Sequence, residues 1–473
     1  MIRKFLYAAI AVLAVSHTVR AEWHYWQVDS KNRFICESSA DGTTTNWIFK
    51  AGVVSSSDRE LKIPDGGGAV SSSAYLAGSG TLDFTDFEKD TGWKLVQIGG
   101  WMLGFTDSLK HIVTGKLVLP DVRSLGIAAF CNQDITEVDA PELTEATPIN
   151  KTGAFEGCAQ LTKVSSPKLD YIGSATFKGC TALTDVGVLA EVTRIDSSAF
   201  QSCSALTAFP MTLPKVKEIG AYAFDGVPLT GDFYLPVVTN VGGWCFNSTA
   251  LTGFHAPKLV QMNGNKTFKG CSSLTNFVAG HALRYLGTGS FSPGLPSGLV
   301  SFTPMMPRAL TVCYSSALNG KTKLVSPLVW DCPNMTAIPG GFFSGCSKMC
   351  DITIGRTVTS IGANAFANIA QGAIVRFKGP PPEMDDKAFY YKSRAAETSN
   401  RRPQFRITSR AAVEAWAASE IVTANAETFE TFKTKPDYPG PRTFGLVKIS
   451  SAASDTQYAW VVDDVKGFVI SVK

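Results

Sequence analysis

The stretch Ile219-Gly220-Ala221-Tyr222-Ala223-Phe224 returns later as Ile361-Gly362-Ala363-Asn364-Ala365-Phe366, and close variants of it fill the chain around both copies. Its phenylalanine recurs as Phe130, Phe155, Phe177, Phe200, Phe224, Phe246, Phe268 and Phe291, at steps of 22 to 25 residues. It recurs again as Phe343, Phe366 and Phe389, at steps of 23. The 52-residue gap from Phe291 to Phe343 holds two units if Leu318 takes the missing place, and Leu103 takes the same place one unit before Phe130, which gives 13 anchors. Narrowly spread periods of this length are the signature of a solenoid.

Each anchor sits in a wider pattern. Five residues before it stands an aliphatic residue (Leu125, Ile172, Ile195, Ile219, Val241, Leu286, Ile338, Ile361), often followed by Gly. Three residues after it comes Cys158, Cys180, Cys203, Cys271 or Cys346. Leu-Thr-x-(Val/Phe) follows, as in Leu161-Thr162-Lys163-Val164 and Leu274-Thr275-Asn276-Phe277, and a Pro-x-(Leu/Val) triplet closes several units. This predicts one short strand per coil, ended by Pro because Pro cannot donate to a ladder. Gly after the aliphatic residue would permit a tight turn, and Phe would fill the space between two walls. The recurrent Thr would hydrogen-bond along the stack. One unit cannot bury its own apolar side, so neighbours share a continuous core. About 12 rungs at roughly 4.8 Å predict a rod or arc about 55–60 Å long.

The unit resembles the BspA-like leucine-rich repeat, over residues 81–395. Phe377-Lys378-Gly379-Pro380-Pro381-Pro382 leading to Ala388-Phe389 is similar to the last repeat of that family. Phe405-Arg406-Ile407 and Ala412-Val413-Glu414-Ala415-Trp416 are similar to its closing strand and short helix. The resemblance implies a mainly β solenoid, a right-handed coil of about 12 units of 22–27 residues with short parallel strands. It also implies a secreted or surface-exposed protein that binds other macromolecules, and it carries over no catalytic residue. The chain departs from standard leucine-rich repeats in lacking their Asn ladder. Ser292 to Gly320 is degenerate enough to predict an interruption of the sheet.

The ends do not follow the period. Arg3 and Lys4, the apolar run Phe5 to Val15 and the small residues Val19 and Ala21 around Arg20 read as a signal peptide over residues 1–21. The run is too short to span a bilayer, which takes roughly 20 apolar residues. Cleavage would remove three basic and no acidic residues, lowering the formal charge from +4 to +1. That balance argues against bulk binding to nucleic acid or anionic membrane. Residues 22–80, with Trp23, Tyr25, Trp26, Phe34, Trp47 and Phe49 among polar residues, read as antiparallel strands turning at Asp41-Gly42. They would cap the first coil, or form a separate sugar-stacking module. Residues 396–473 read as a C-terminal cap, with a helix starting near Ser409 and a small β appendage over Phe444–Ile449, Tyr458–Val462 and Phe468–Val472. The appendage could serve as a cap or as a docking element.

Little here suggests chemistry. The five repeated cysteines read as a buried thiol ladder of small hydrophobes, although stacked rungs lie within disulfide range. Cys332, Cys346 and Cys350 are the best disulfide candidates among the 11 cysteines. The chain contains no Cys-x-x-Cys pair, and His24, His111, His255 and His281 are scattered, so neither zinc nor any other cofactor is expected. Gly66-Gly67-Gly68 lacks the Lys-Ser/Thr of a phosphate loop. The main enzymatic rival, a glycan-active β-helix, would concentrate acidic and basic residues on neighbouring rungs. The outward strand positions, with Lys163, Ser165, Asp185, His255 and Asn276 as the candidate interaction surface, are instead mixed and weakly charged. The reading is a non-enzymatic adhesion or interaction protein whose partner is an extracellular protein or a glycan. The alternative is a passive envelope scaffold without a specific ligand.

Overall fold

A computed structural model describes residues 56–63, 80–100, 113–146, 152–287, 290–291, 299–303, 308–313, 316–325, 327–385, 387–389, 403–408, Ala412, Ala415 and Trp416. It describes the backbone of seven further strands: Trp23–Val28, Arg33–Ala40, Thr43–Lys50, Gly52–Ser55 and Leu76–Ala77 before the coils, and Thr443–Lys448 with Tyr458–Asp463 after them. The expected signal peptide, Leu103, Cys36, His24, His111 and Phe468–Val472 lie outside the residues whose side chains are described.

The chain winds as a parallel-strand β-solenoid with almost no helix. Its back wall carries the aliphatic position of each unit. Strands Glu60–Ile63, Lys94–Ile98, Ser124–Leu125, Glu145–Ala146, Tyr171–Ile172, Arg194–Ile195, Glu218–Ile219, Asn240–Gly242, Gln261–Asn263, Tyr285–Leu286 and Val312–Cys313 pair in parallel, and Gly52–Ser55 adds an antiparallel edge, giving a 12-stranded sheet. A three-stranded sheet of Ala337–Ile338, Ser360–Ile361 and Glu383–Met384 carries the same position later in the chain.

The front wall carries the Leu-Thr-x-(Val/Phe) strand and falls into three sheets. The first joins Gly80–Asp83, Val113–Val118, Asp134–Asp139 and Lys163–Ser165, and the second joins Thr230–Tyr234, Ala250–Ala256, Asn276–Ala279 and Ser301–Thr303. The third runs from Leu328–Trp330 through Asp351–Ile354, Ile374–Phe377 and Gln404–Ile407 to Tyr458–Asp463 and its antiparallel partner Thr443–Lys448. The coil ladder thus reaches beyond residues 81–395 at both ends. Glu60–Ile63 already pairs with Lys94–Ile98, and the appendage strand Tyr458–Asp463 extends the last front sheet. Trp416 is fully buried there and donates from Nε1 to the Gly379 carbonyl at 3.2 Å.

Between the walls runs the phenylalanine stack. From Phe130 to Phe291, and again from Phe343 to Phe389, successive rings lie 5.0–5.7 Å apart with planes 1–17° from parallel. The spacing slightly exceeds the strand separation, as offset stacking requires. Leu318 is fully buried in the gap, as the spacing predicts. Where the front wall supplies Phe209, Phe254 and Phe277, their rings meet the stack edge-on, for instance Phe277 against Phe291 at 5.1 Å and 87°.

The cysteine position has a role beyond filling space. Each thiol donates to the carbonyl of the anchor one coil earlier: Cys158 to Phe130, Cys180 to Phe155, Cys203 to Phe177, Cys271 to Phe246 and Cys346 to Leu318, at 2.8–3.3 Å. No described cysteine forms a disulfide, the trio Cys332, Cys346 and Cys350 included, so the pairing expected among them is not made. Burial pushes Cys158, Cys203 and Cys346 up to about 12 and Cys271 to about 11. Lys321 stands in the cysteine place of the Leu318 unit, 1 % exposed, and burial lowers its ammonium to about 8.

Two sequence expectations take a different physical form. Thr hydroxyls do form ladders, but each donates to a backbone carbonyl of the preceding coil, as Thr162 to Thr136 (2.9 Å), Thr184 to Thr162 (3.1 Å) and Thr275 to Thr252 (3.1 Å). A second ladder flanks the back wall, with Thr144 donating to Arg123, Thr193 to Asp170 and Thr239 to Lys217. The glycine after the aliphatic residue is also not there for a left-handed turn. A Cβ on Gly220 would stand 2.3 Å from the Ser197 nitrogen, so close packing of adjacent coils demands it. The left-handed backbone falls instead two residues before and two after the anchor, as at Tyr222 (φ 59°) and Gly226 (φ 73°) around Phe224.

The predicted interruption falls between Cys313 and Ala337 on the back wall and between Thr303 and Leu328 on the front. Turn-edge bonds still bridge it, Gly320 N–H donating to Ser344 O at 2.7 Å and Leu318 N–H to Phe342 O at 3.2 Å. A second interruption, on the front wall alone, was not expected. Only the isolated bridges Lys163–Asp185 and Thr212–Tyr234 lie between Lys163–Ser165 and Thr230–Tyr234. Asp185 Oδ1 accepts from Gly187 N–H at 2.8 Å, and Gly187 is left-handed (φ 64°), which turns the chain out of the strand. In the next coil Pro210 has no N–H to give.

Candidate interaction surface

The front-wall break decides how the candidate residues are grouped. Lys163, Ser165 and Asp185 belong to the first sheet and its bridge, His255 and Asn276 to the second. The structure therefore places the five on two separate faces.

On the first face the outward column reads Lys116, Glu137, Lys163, Asp185 across four rungs, with signs alternating. The next column includes Asp139, paired with Ser165. Lys116 Nζ reaches Asp139 Oδ2 at 2.9 Å, and this hydrogen bond raises the ammonium above its ordinary range. Cross-coil pairs of the same kind, Lys168–Glu142 at 2.7 Å and Lys215–Glu191 at 2.6 Å, line other parts of the surface. The charges largely satisfy one another. Exposed pairs of this type contribute about 0–1 kcal/mol each, so their larger effect is on which charges a partner can approach.

The second face is built differently. The run from Leu229 to Phe233 is one residue longer than the run from Leu251 to Phe254, and the pairing slips in register between Gly231 and Asp232, which face Leu251 and Gly253 and leave Thr252 as the bulged residue. The bulge lays the Asp232 carboxylate over Gly253, where a Cβ would stand 2.5 Å from Oδ1. Thr252 Oγ1 donates to Asp232 Oδ1 at 2.6 Å and is the main reason that carboxyl lies below its usual range. His255 Nε2 lies 3.4 Å from Asp232 Oδ2, a contact that lacks hydrogen-bond alignment. Tyr234, 46 % exposed, stacks on the His255 ring at 4.5 Å and 9°. Asn276 pairs with Gly253, and Val278 with His255, so Asn276 flanks the Tyr234–His255 column one rung on. The spacing rule singled out His255 and Asn276 but missed Tyr234 and Asp232, because the longer run from Leu229 to Phe233 shifts them out of the expected offset from Leu229. The extra residue before Phe233 was the available signal.

Among the described residues no three His, Cys, Asp or Glu side chains converge to hold a metal ion. No described helix is long and apolar enough to cross a membrane.

Stacked coils of 22 to 25 residues, with a phenylalanine–thiol ladder between two strand walls, define a leucine-rich-repeat solenoid of the type in which Phe and Cys mark each turn. The model of the BspA type Leucine rich repeat region matches residues 107–230, 210–324 and 305–396, with six copies. The chain belongs to that family. No curated protein matches it in sequence. Among solved structures it is similar to a leucine rich cell surface protein from Faecalibacterium prausnitzii, with 18% identity, 77% of this chain and 97% of that one covered, and a TM-score of 0.31. It is also similar to a leucine-rich repeat protein from Bacteroides ovatus (16% identity, 82% and 100% covered, TM-score 0.36). A third similar structure is the pneumococcal vaccine antigen PcpA, with 12% identity, 82% and 95% covered and a TM-score of 0.33.

Proposed function

We propose that the protein is an exported, non-catalytic binding protein that engages an extracellular protein through the second front face, centred on Tyr234 and His255. The observation that carries this is the exposed Tyr234 ring stacked on His255. It sits on a four-stranded parallel sheet. Amphipathic aromatic residues are favoured anchors in protein interfaces because they bury much area at little conformational cost. The leader-like Arg3 to Ala21 supports export, and so does the family's cell-surface relative.

The test is binding of the purified chain to a panel of extracellular-matrix and bacterial surface proteins by surface plasmon resonance. Saturable binding that weakens at least about tenfold, or about 1.4 kcal/mol, in Tyr234→Ala and His255→Ala supports the reading. It should persist in Lys163→Ala and Asp185→Ala. Binding that depends on Lys163 instead would move the site to the first face, and silence across the panel would favour a passive scaffold. Glycan hydrolysis by the same sample would overturn the non-catalytic assignment. N-terminal sequencing of the exported protein should begin at Glu22.

A further inference from the structure

The turn edge, where each coil passes the anchor phenylalanine, holds a feature that folding does not require. Two residues before the anchor the backbone is left-handed in coil after coil, and the occupants are mostly small: Ala128, Ala175 and Ser198 before the middle of the solenoid, Ser316 and Asn364 after it. Gly and Asn adopt that conformation at the lowest cost, and bulky residues are outliers there. Three consecutive coils nevertheless place Tyr222 (φ 59°), Trp244 (φ 57°) and Lys266 (φ 60°) at this position. Bonds between coils fix their register, Ser198 N–H donating to Ala221 O, Tyr222 N–H to Gly243 O and Trp244 N–H to Asn265 O, at 2.8–3.0 Å.

The side chains form an ordered ledge. The rings of Tyr222 and Trp244 are 6.0 Å apart and 13° from parallel. Lys266 Nζ and Lys269 Nζ lie 5.1 and 4.7 Å from the Trp244 ring centroid. Neither ammonium makes an ion pair with a described carboxylate. The nearby carboxylate on this edge, Asp225, is held by amides instead, accepting from Gln201 Nε2 at 2.9 Å and Asn247 Nδ2 at 2.7 Å. On the other side the ledge steps down to Ser198, so one face of the Tyr222 ring stays open, and the residue is 38 % exposed.

We infer that this ledge is a binding site for an anionic saccharide, one bearing carboxylate or sulfate groups. A pyranose ring would stack on the open face of Tyr222, and acidic groups further along the saccharide, passing the Trp244 edge, would meet Lys266 and Lys269. Flat aromatic rings suit the apolar face of a sugar, and two uncompensated ammoniums beside them call for negative charge. The site is distinct from the Tyr234–His255 face, which lies on the front wall.

The test is calorimetric binding of the full chain to hexasaccharides of hyaluronan and chondroitin 4-sulfate, with maltohexaose and chitohexaose as neutral controls. The acidic sugars should bind more tightly than the neutral ones, and the affinity should fall with salt. Trp244→Asn and Tyr222→Asn should each weaken binding about tenfold while leaving Tm unchanged or raised, since Asn suits the left-handed backbone better. Lys266→Gln with Lys269→Gln should weaken it as much and flatten the salt dependence. Tyr234→Ala should leave it intact, so failure of the protein-binding reading and failure of this one can be told apart. No binding to any acidic sugar would overturn the site. So would affinity indifferent to Trp244, or equal affinity for linear polyphosphate. Tighter, Trp244-dependent binding of poly-glutamate would reassign the ledge to an acidic peptide.

Discussion

The back wall and the front wall share one period, yet the first breaks once, into sheets of 12 and three strands, while the second is cut into three sheets. A back-wall rung asks for little: two paired residues, one of them a buried aliphatic, and then a close approach to the neighbouring coil. A front-wall rung needs three to seven extended residues, and one Gly187 or one Pro210 is enough to end it. The thiol and phenylalanine ladders keep the coils in step whatever the front wall does. Function can therefore vary on the front face, and on the turn edge, without cost to the register that holds the molecule together.

The largest effect should come from the shared interior. Phe224 stacks on Phe200 and Phe246 and meets Phe209 and Phe233 edge-on. Phe224→Ala should lower stability by about 3–5 kcal/mol, measured as a shift in urea midpoint. Removing an exposed front-wall side chain such as Lys163 should change it by less than about 0.5 kcal/mol. Equal losses would mean that the walls, and not the stack, hold the coils.

Lys321 tests a rung where the thiol ladder is broken by charge. Its ammonium, at about 8, lies below the ordinary 10.5 because of burial. From pH 8 to 10.5 the unfolded chain holds more protons at this group than the folded one, so its contribution makes stability rise with pH. The neighbouring thiols act oppositely. Cys158, Cys203 and Cys346 are raised from 9.0 to about 12, so the unfolded state ionises first and stability falls as pH rises above about 9. Wild type minus Lys321→Met isolates the first effect. The variant should be more stable at pH 7 by up to about 3 kcal/mol, and its advantage should shrink by pH 10. A constant difference would show that Lys321 keeps its proton when folded.

A smaller loss should follow from a single thiol. Cys180→Ala removes the donor to Phe155 O and leaves a small void, and should cost about 1–2 kcal/mol. In the folded wild type, iodoacetamide at pH 8 should modify exposed Cys350 and spare the buried ladder thiols.

Much of this was legible in the chain because the interior repeats. Phe, Cys and the aliphatic residue recur at fixed offsets, and their burial follows from stacking identical coils. The site was less legible. His255 and Asn276 fall at regular outward offsets, but Tyr234 and Asp232 follow a Leu-to-Phe run one residue longer than usual, and a fixed offset passes over them. The separation of Lys163 from His255 depends on two adjacent coils losing their strand together. Tyr222 and Trp244 read as ordinary variable positions until the left-handed backbone around them is known.

The smallest expected change bears directly on why the front wall breaks. Pro210 withholds an N–H, whereas Gly187 turns the chain aside through its bond to Asp185. If proline is the decisive fault, Pro210→Thr supplies the missing donor, and the bridge Thr212–Tyr234 should lengthen into a strand. Hydrogen exchange at residues 208–212 should then slow, with a stability gain below about 1 kcal/mol, since only one ladder bond of modest net worth is added. If exchange there is unchanged, the coil carrying Gly187 sets the break, because a strand at 208–212 has no neighbour on that side to pair with. In that case Lys163 and His255 stay on separate faces through the Asp185–Gly187 turn alone, and removing its side-chain acceptor with Asp185→Ala should be what extends the first sheet.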